Sequence, residues 1–116
     1  MGIIKDRFKA KADSVATEIK DLLKEHGNKV IGEVTLSQIY QGMRGITGLV
    51  TETSLLDAQE GIRFRGYSIP ELQAKLPKAP GGSEPLPEGL FYLMLIGELP
   101  NDEDAEHVTN ILQRRS

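Results

Sequence analysis

Four residues, "GMRG" at positions 42–45, place Arg44 between two glycines just beyond a short helical pattern. A guanidinium held on flexible glycine backbone can grip a phosphate or carboxylate, because its planar fork makes paired, charge-assisted hydrogen bonds. The same pattern also describes an arginine that merely fits a tight turn, so two readings of Arg44 stand on spacing alone. A second stretch, "GIRFRGYSIPEL" (61–72), alternates Arg63 and Arg65 with Ile62 and Phe64. On a strand, the two arginines share one face and the two apolar residues the other, which is the pattern of a solvated face. His26 and His107 stand far apart with no cysteine in the chain, so no metal-ligand spacing exists. Each reads as a surface residue of a helix. Ser83 follows two glycines, but without the elbow pattern of a serine hydrolase, and no phosphate-binding loop or dinucleotide fingerprint occurs.

The elements that must carry these residues are mostly helical. Ile4, Phe8, Ala12, Val15, Ile19, Leu22 and Leu23 recur every three or four residues, so the spacing predicts an amphipathic helix over 4–26. Lys24 and His26 would sit at its negative end, and Gly27 would take a left-handed position after it. Residues 29–34 read as extended. Thr35 and Gln38 have capping-box spacing, with Val34 and Ile39 as staple, so a brief helix runs from Leu36 to about Gln41, where Gly42 ends it. Two strands are expected at 49–53 and 62–65, with turn chemistry at Asp57 and Gly61 between them.

Ser68 and Glu71, with Tyr67 and Leu72 as staple, start the next helix. Pro70 is tolerated in its first turn and Pro77 stops it. A proline- and glycine-rich loop follows over 77–89. Pro87 opens a helix that ends at Gly97 and is apolar nearly all round, as suits an element buried on several sides. Asn101 caps a last helix whose first turn holds Asp102, Glu103 and Asp104; Val108, Ile111 and Leu112 form its apolar stripe.

Composition bounds the function classes. A chain of 116 residues with 39% hydrophobic and 27% charged residues is a folded domain with one modest core. A net charge of −3 argues against nucleic acid as the main partner. No apolar run reaches the length of a membrane span, and the N-terminus lacks a signal-peptide core. Acidic residues at Asp6, Asp13, Glu18 and Asp21 make the N-terminal stretch a first helix rather than a transit peptide.

Three long segments then carry a resemblance. "HGNKVIGEVT" (26–35), "YQGMRGITGLVTETSLLDAQEGIRFRGYSIPELQAKLPKA" (40–79) and "EPLPEGLFYLMLIGELP" (84–100) resemble, in order, the N-terminal part of citrate synthase. The similarity covers about residues 5–112 and is nearest to the eukaryotic, mitochondrial-like form. It implies a mainly α fold of citrate-synthase-like N-terminal helices with one small β-hairpin region, residues 1–116 being the N-terminal segment of the large helical domain. It also implies a homodimeric enzyme that condenses acetyl-CoA with oxaloacetate to give citrate and CoA, with acetyl-CoA a substrate and no cofactor or metal needed. The family's acid–base histidines and aspartate lie in a later region, so no catalytic residue is assigned here, and His26 and His107 inherit no role. One residue does match: Arg44, in the family's motif, would contribute to binding the CoA phosphates.

Arg63 and Arg65 receive no site role; packing and ion pairs with the remainder of a longer chain are expected of them. Two readings of the whole follow. The chain is a truncated citrate synthase, inactive alone, or a non-enzymatic self-association module built from the same segment. The expected setting is the bacterial cytoplasm, with the mitochondrial matrix as the alternative.

Overall fold

The structure, a computed structural model, describes residues 2–115. In chain order it contains α1 (Gly2–His26), α2 (Leu36–Tyr40), β1 (Ser54–Asp57), β2 (Gly61–Phe64), β3 (Tyr67–Ser68), α3 (Ile69–Lys75), α4 (Pro87–Ile96) and α5 (Asp102–Arg115). This is the mainly helical architecture expected. The chain divides into two units, one formed by Met1–Asp13 with Thr51–Ser116, the other by Ser14–Val50.

The first unit is organised around α4. Its all-round apolar sequence lets it serve two clusters at once. Tyr92 and Ile96 join Ile4 of α1 and Val108 of α5, with Leu95 and Ile111 packed against them. Leu93, on another side, joins Leu72 and Leu76 from α3 and its end, with Phe64, Tyr67, Leu90 and Leu99 around them. Burial on several sides, read from the sequence, is therefore what the helix does. Its third side is less covered: Phe91 stays exposed and, with Ile4, Phe8, Leu95, Ile111 and Leu112, lines an open apolar groove of about 350 Å³.

The helix ends follow their local chemistry. Ser68 Oγ accepts the Glu71 N–H at 3.4 Å, and Pro70 occupies the first turn of α3. Gly97 closes α4 in the left-handed region at φ 88°, donating its N–H to the Leu93 carbonyl at 2.7 Å, the position glycine fills without a Cβ penalty. At α5 the Asn101 side chain accepts the Asp104 N–H at 2.8 Å while Asp104 Oδ2 accepts the Asn101 N–H at 3.1 Å. That is a reciprocal box built from Asn and Asp.

The small sheet differs in register from the expectation. The strand predicted at 49–53 is not formed; β1 is Ser54–Asp57, pairing antiparallel with β2 from Ser54↔Phe64 to Asp57↔Gly61. The turn decides this. Asp57 Oδ1 accepts the N–H groups of Gln59 and Glu60, each at 2.8 Å, and Gly61 takes φ 92°. Counting back from that turn puts "SLLD" opposite "GIRF". A third short strand pairs Phe64 with Tyr67. The two residues between, Arg65 (φ 49°) and Gly66 (φ 86°), both have positive φ, as a type I′ hairpin requires.

The first hairpin carries a pH dependence with a defined sign. The backbone N–H groups of Glu60 and Gln59 hold the Asp57 carboxyl below its ordinary value of 3.8. The Arg63 guanidinium likewise holds Glu60 below 4.5. A carboxyl with a lowered folded value contributes stability that is complete above the unfolded value and is lost as pH falls through the folded one. Amide protection factors in Ser54–Phe64, taken against the intrinsic exchange rate at each pH, are therefore expected to fall on acidification below those ordinary values. Asp57→Asn keeps an oxygen acceptor but cannot titrate, so its protection factors should depend less on pH; an unchanged acid response would show that Asp57 is not responsible.

The second unit holds the rest of α1, an extended segment and α2. Gly27 closes α1, though not in the left-handed conformation expected. Its N–H reaches the Leu23 carbonyl at 2.9 Å, and a Cβ on Gly27 would lie 2.3 Å from that oxygen. Close approach, rather than a positive φ, is what selects glycine there. Among the described residues no helix is long and apolar enough to cross a membrane.

Candidate functional site

Arg44 sits in the second unit on a turn built directly onto α2. Thr35 Oγ1 accepts the Gln38 N–H at 3.2 Å and Gln38 Oε1 accepts the Thr35 N–H at 2.9 Å, so the predicted capping box is present. At the other end the Gly42 N–H bonds the Ile39 carbonyl at 3.1 Å, as in a Schellman closure. The outer bond comes from Arg44 N–H to the Gln38 carbonyl at 3.3 Å, one residue later than in that motif. The extra residue is accommodated because Gly42 (φ 73°) and Met43 (φ 64°) are both left-handed. Gly45, also positive at 73°, ends the turn, and the Ile46 N–H returns to the Met43 carbonyl at 3.2 Å.

The backbone of Arg44 is thus fixed and its side chain is exposed. Among the described residues its guanidinium has no hydrogen-bond or ion-pair partner. Met43 is a non-glycine residue in the left-handed region, which costs about 1–2 kcal/mol. Strain of that kind is tolerated where the surroundings fix it, and it collects at binding sites.

The other arginines are used differently. Arg63 is fastened on several sides: it pairs with Glu60, donates to the Gly66 carbonyl at 2.9 Å and lies 3.6 Å from Glu71. Glu60, by hydrogen bond and charge, holds the Arg63 guanidinium above its ordinary value. Arg65 does not share a strand face with it, because β2 ends at Phe64. From the hairpin turn its Nη2 and Nε donate to the Met94 carbonyl at 2.7 and 3.2 Å. That oxygen is one of the last four of α4, which have no partner within the helix, so Arg65 brings a cation to the negative helix end. Both arginines therefore serve this segment's own fold, where contacts with a longer chain were expected.

One ionic group was not visible in the sequence. Arg7 of α1 pairs with the buried Asp104 of α5 and donates to Tyr92 Oη at 2.8 Å, its guanidinium 5.9 Å from that ring's centre. These bonds to Asp104 and then Tyr92 raise the Arg7 guanidinium above its ordinary value. A separation of 97 residues leaves no local signal for such a pair. His26 and His107 belong to different units, and each has a carboxylate of its own helix beside it: Glu25 at 3.8 Å and Glu103 at 3.7 Å. Among the described residues no cluster of histidines and carboxylates could hold a metal ion. The Arg44 turn presents an exposed guanidinium on a fixed backbone.

The family model described as "Citrate synthase, C-terminal domain" matches residues 42–116, from the first glycine of that turn onward. The chain belongs to the citrate synthase family. It is 56% identical over 106 residues to a mitochondrial citrate synthase of Emericella nidulans, covering 91% of this chain and 22% of the relative. With the mitochondrial citrate synthase of Saccharomyces cerevisiae the identity is 56% over 113 residues, covering 97% and 24%. A mitochondrial 2-methylcitrate synthase of Yarrowia lipolytica is 62% identical over 103 residues, covering 89% and 22%. The chain thus spans under a quarter of the length of these citrate synthase relatives. All three are named as mitochondrial proteins, so they lend nothing to the bacterial cytoplasmic setting expected from the sequence.

Proposed function

We propose that this chain is the N-terminal segment of the large helical domain of an enzyme that condenses acetyl-CoA with oxaloacetate, giving citrate and CoA. In that enzyme Arg44 holds a phosphate group of CoA. The observation that carries this role is an exposed guanidinium, without a hydrogen-bond or ion-pair partner among the described residues, on a backbone that includes three positive-φ residues. A cation so placed loses little freedom when it binds, and its fork suits a phosphate. No cofactor is required, since acetyl-CoA is consumed as a substrate.

Kinetics of the full-length enzyme test the role. A charged hydrogen bond is worth about 1.5–3 kcal/mol, and an exposed site takes the lower end. Arg44→Ala is expected to raise KM for acetyl-CoA about tenfold, with KM for oxaloacetate and kcat little changed. An equal effect on both substrates, or none, overturns the role.

A second reading of the substrate rests on the 62% identity with a 2-methylcitrate synthase. 2-Methylcitrate carries one methyl group more than citrate, so its acyl donor is propionyl-CoA. The ratio of kcat/KM for acetyl-CoA and propionyl-CoA decides between them. We further propose a homodimer in the mitochondrial matrix, supported by the family and by relatives that are named mitochondrial. Light scattering that gives the mass of one polypeptide, or fractionation that leaves the enzyme outside mitochondria, contradicts that proposal.

A further inference from the structure

We infer that Gln38 is a positioning residue for Arg44, and the inference rests on the CoA-binding reading of that arginine. Gln38 is tied to both ends of one short element. Its side chain closes the box with Thr35, Oε1 accepting the Thr35 N–H at 2.9 Å while its own N–H bonds Thr35 Oγ1 at 3.2 Å. Its carbonyl accepts the Arg44 N–H at 3.3 Å. Its Nε2 lies 3.7 Å from where a Cβ on Gly45 would stand. The amide side chain thus runs beneath the turn whose backbone its own carbonyl holds.

The dependence follows from the length of α2. Five residues are far fewer than a helix needs to persist without help. The two box bonds fix the residue whose carbonyl anchors Arg44, so losing them frees the anchor. The binding-competent arrangement of the turn is then less populated, and apparent affinity falls by that fraction. Such a loss acts on substrate binding remote from the reacting carbons, so it belongs in KM rather than kcat.

The test is steady-state kinetics of the full-length enzyme with Gln38→Ala, Gln38→Glu, Thr35→Ala, Thr35→Ser and Arg44→Ala. Gln38→Ala is expected to raise KM for acetyl-CoA measurably, by at most about fivefold, the scale of a lost cap, with kcat and KM for oxaloacetate unchanged. Glu at this position can complete a box, so Gln38→Glu restores the wild-type KM. Among the described residues Thr35 makes no hydrogen bond to the turn at 42–45, so Thr35→Ala, rescued by Thr35→Ser, reads the same effect should Gln38→Ala fail to fold. If Arg44→Ala raises KM for acetyl-CoA but Gln38→Ala or Thr35→Ala does not, the positioning role is wrong and the CoA reading stands. If Arg44→Ala has no effect, both fall. A fall in kcat with both KM values raised, unrescued by Glu, marks Gln38 as structural only and also overturns the inference.

Discussion

Leu93→Ala is expected to destabilise the first unit by about 2–5 kcal/mol, the range for truncating a buried leucine where the surroundings cannot collapse. Leu93 is 0% exposed and is central to the cluster with Leu72 and Leu76. Sheet residues Phe64 and Tyr67 and the α4-side residues Leu90 and Leu99 pack against that cluster, so the void would open where the sheet, α3 and α4 meet. Relaxation is restricted from several sides. A Cβ on Gly89 would already sit 3.4 Å from Leu76 and Pro77, which leaves little slack between α4 and the end of α3. Set against the 5–15 kcal/mol of a typical domain, the loss is large enough to read as a clear fall in the urea midpoint. Phe91→Ala, on the same helix but 49% exposed, should cost well under half as much. A Leu93→Ala loss below about 1 kcal/mol would mean that the cluster does not hold the unit together.

The helices were legible for physical reasons that operate locally. Capping chemistry at Thr35, Ser68 and Asn101, prolines at 70 and 87 and the glycine after Ile96 each act within one turn of chain, and each is used as read. The apolar circumference of α4 announced burial on more than one side without saying against what. The hairpin was half legible. Turn chemistry at Asp57 and Gly61 was read correctly, but β-branched residues at 49–53 drew the strand away from it. Turn geometry sets hairpin register more strictly than propensity sets strand position, and the register runs from Asp57↔Gly61. Arg65 was misplaced because a type I′ turn is normally signalled by Asn-Gly or Asp-Gly. Here the arginine's positive φ comes with its two bonds to Met94, a residue 29 positions away. The Arg44 turn could be seen in sequence as glycine around a cation. That its guanidinium has no partner among the described residues depends on the folded structure, and the phosphate it would hold came only from the family.

The 116-residue chain itself is expected to release no thiol from acetyl-CoA in the presence of oxaloacetate. Condensation requires a base within hydrogen-bond reach of the acyl α-carbon's proton and an acid on the carbonyl that becomes the enol oxygen. Such groups have to converge on one pocket. His26 and His107 are the only histidines, they belong to different helices, and among the described residues each is paired with an exposed glutamate of its own helix. Asp104, the buried carboxylate, is already committed to Arg7 and to the cap of α5. Arg44 could at most anchor CoA, and anchoring without an acid–base pair binds substrate and transition state alike, which does not raise a rate. A thiol-release assay across a wide range of chain concentration should therefore stay at the uncatalysed rate, with propionyl-CoA as with acetyl-CoA. Release that scales with chain concentration would overturn this. His26→Asn and His107→Asn would then show whether either histidine is the base, and release that survives both would point to a carboxylate.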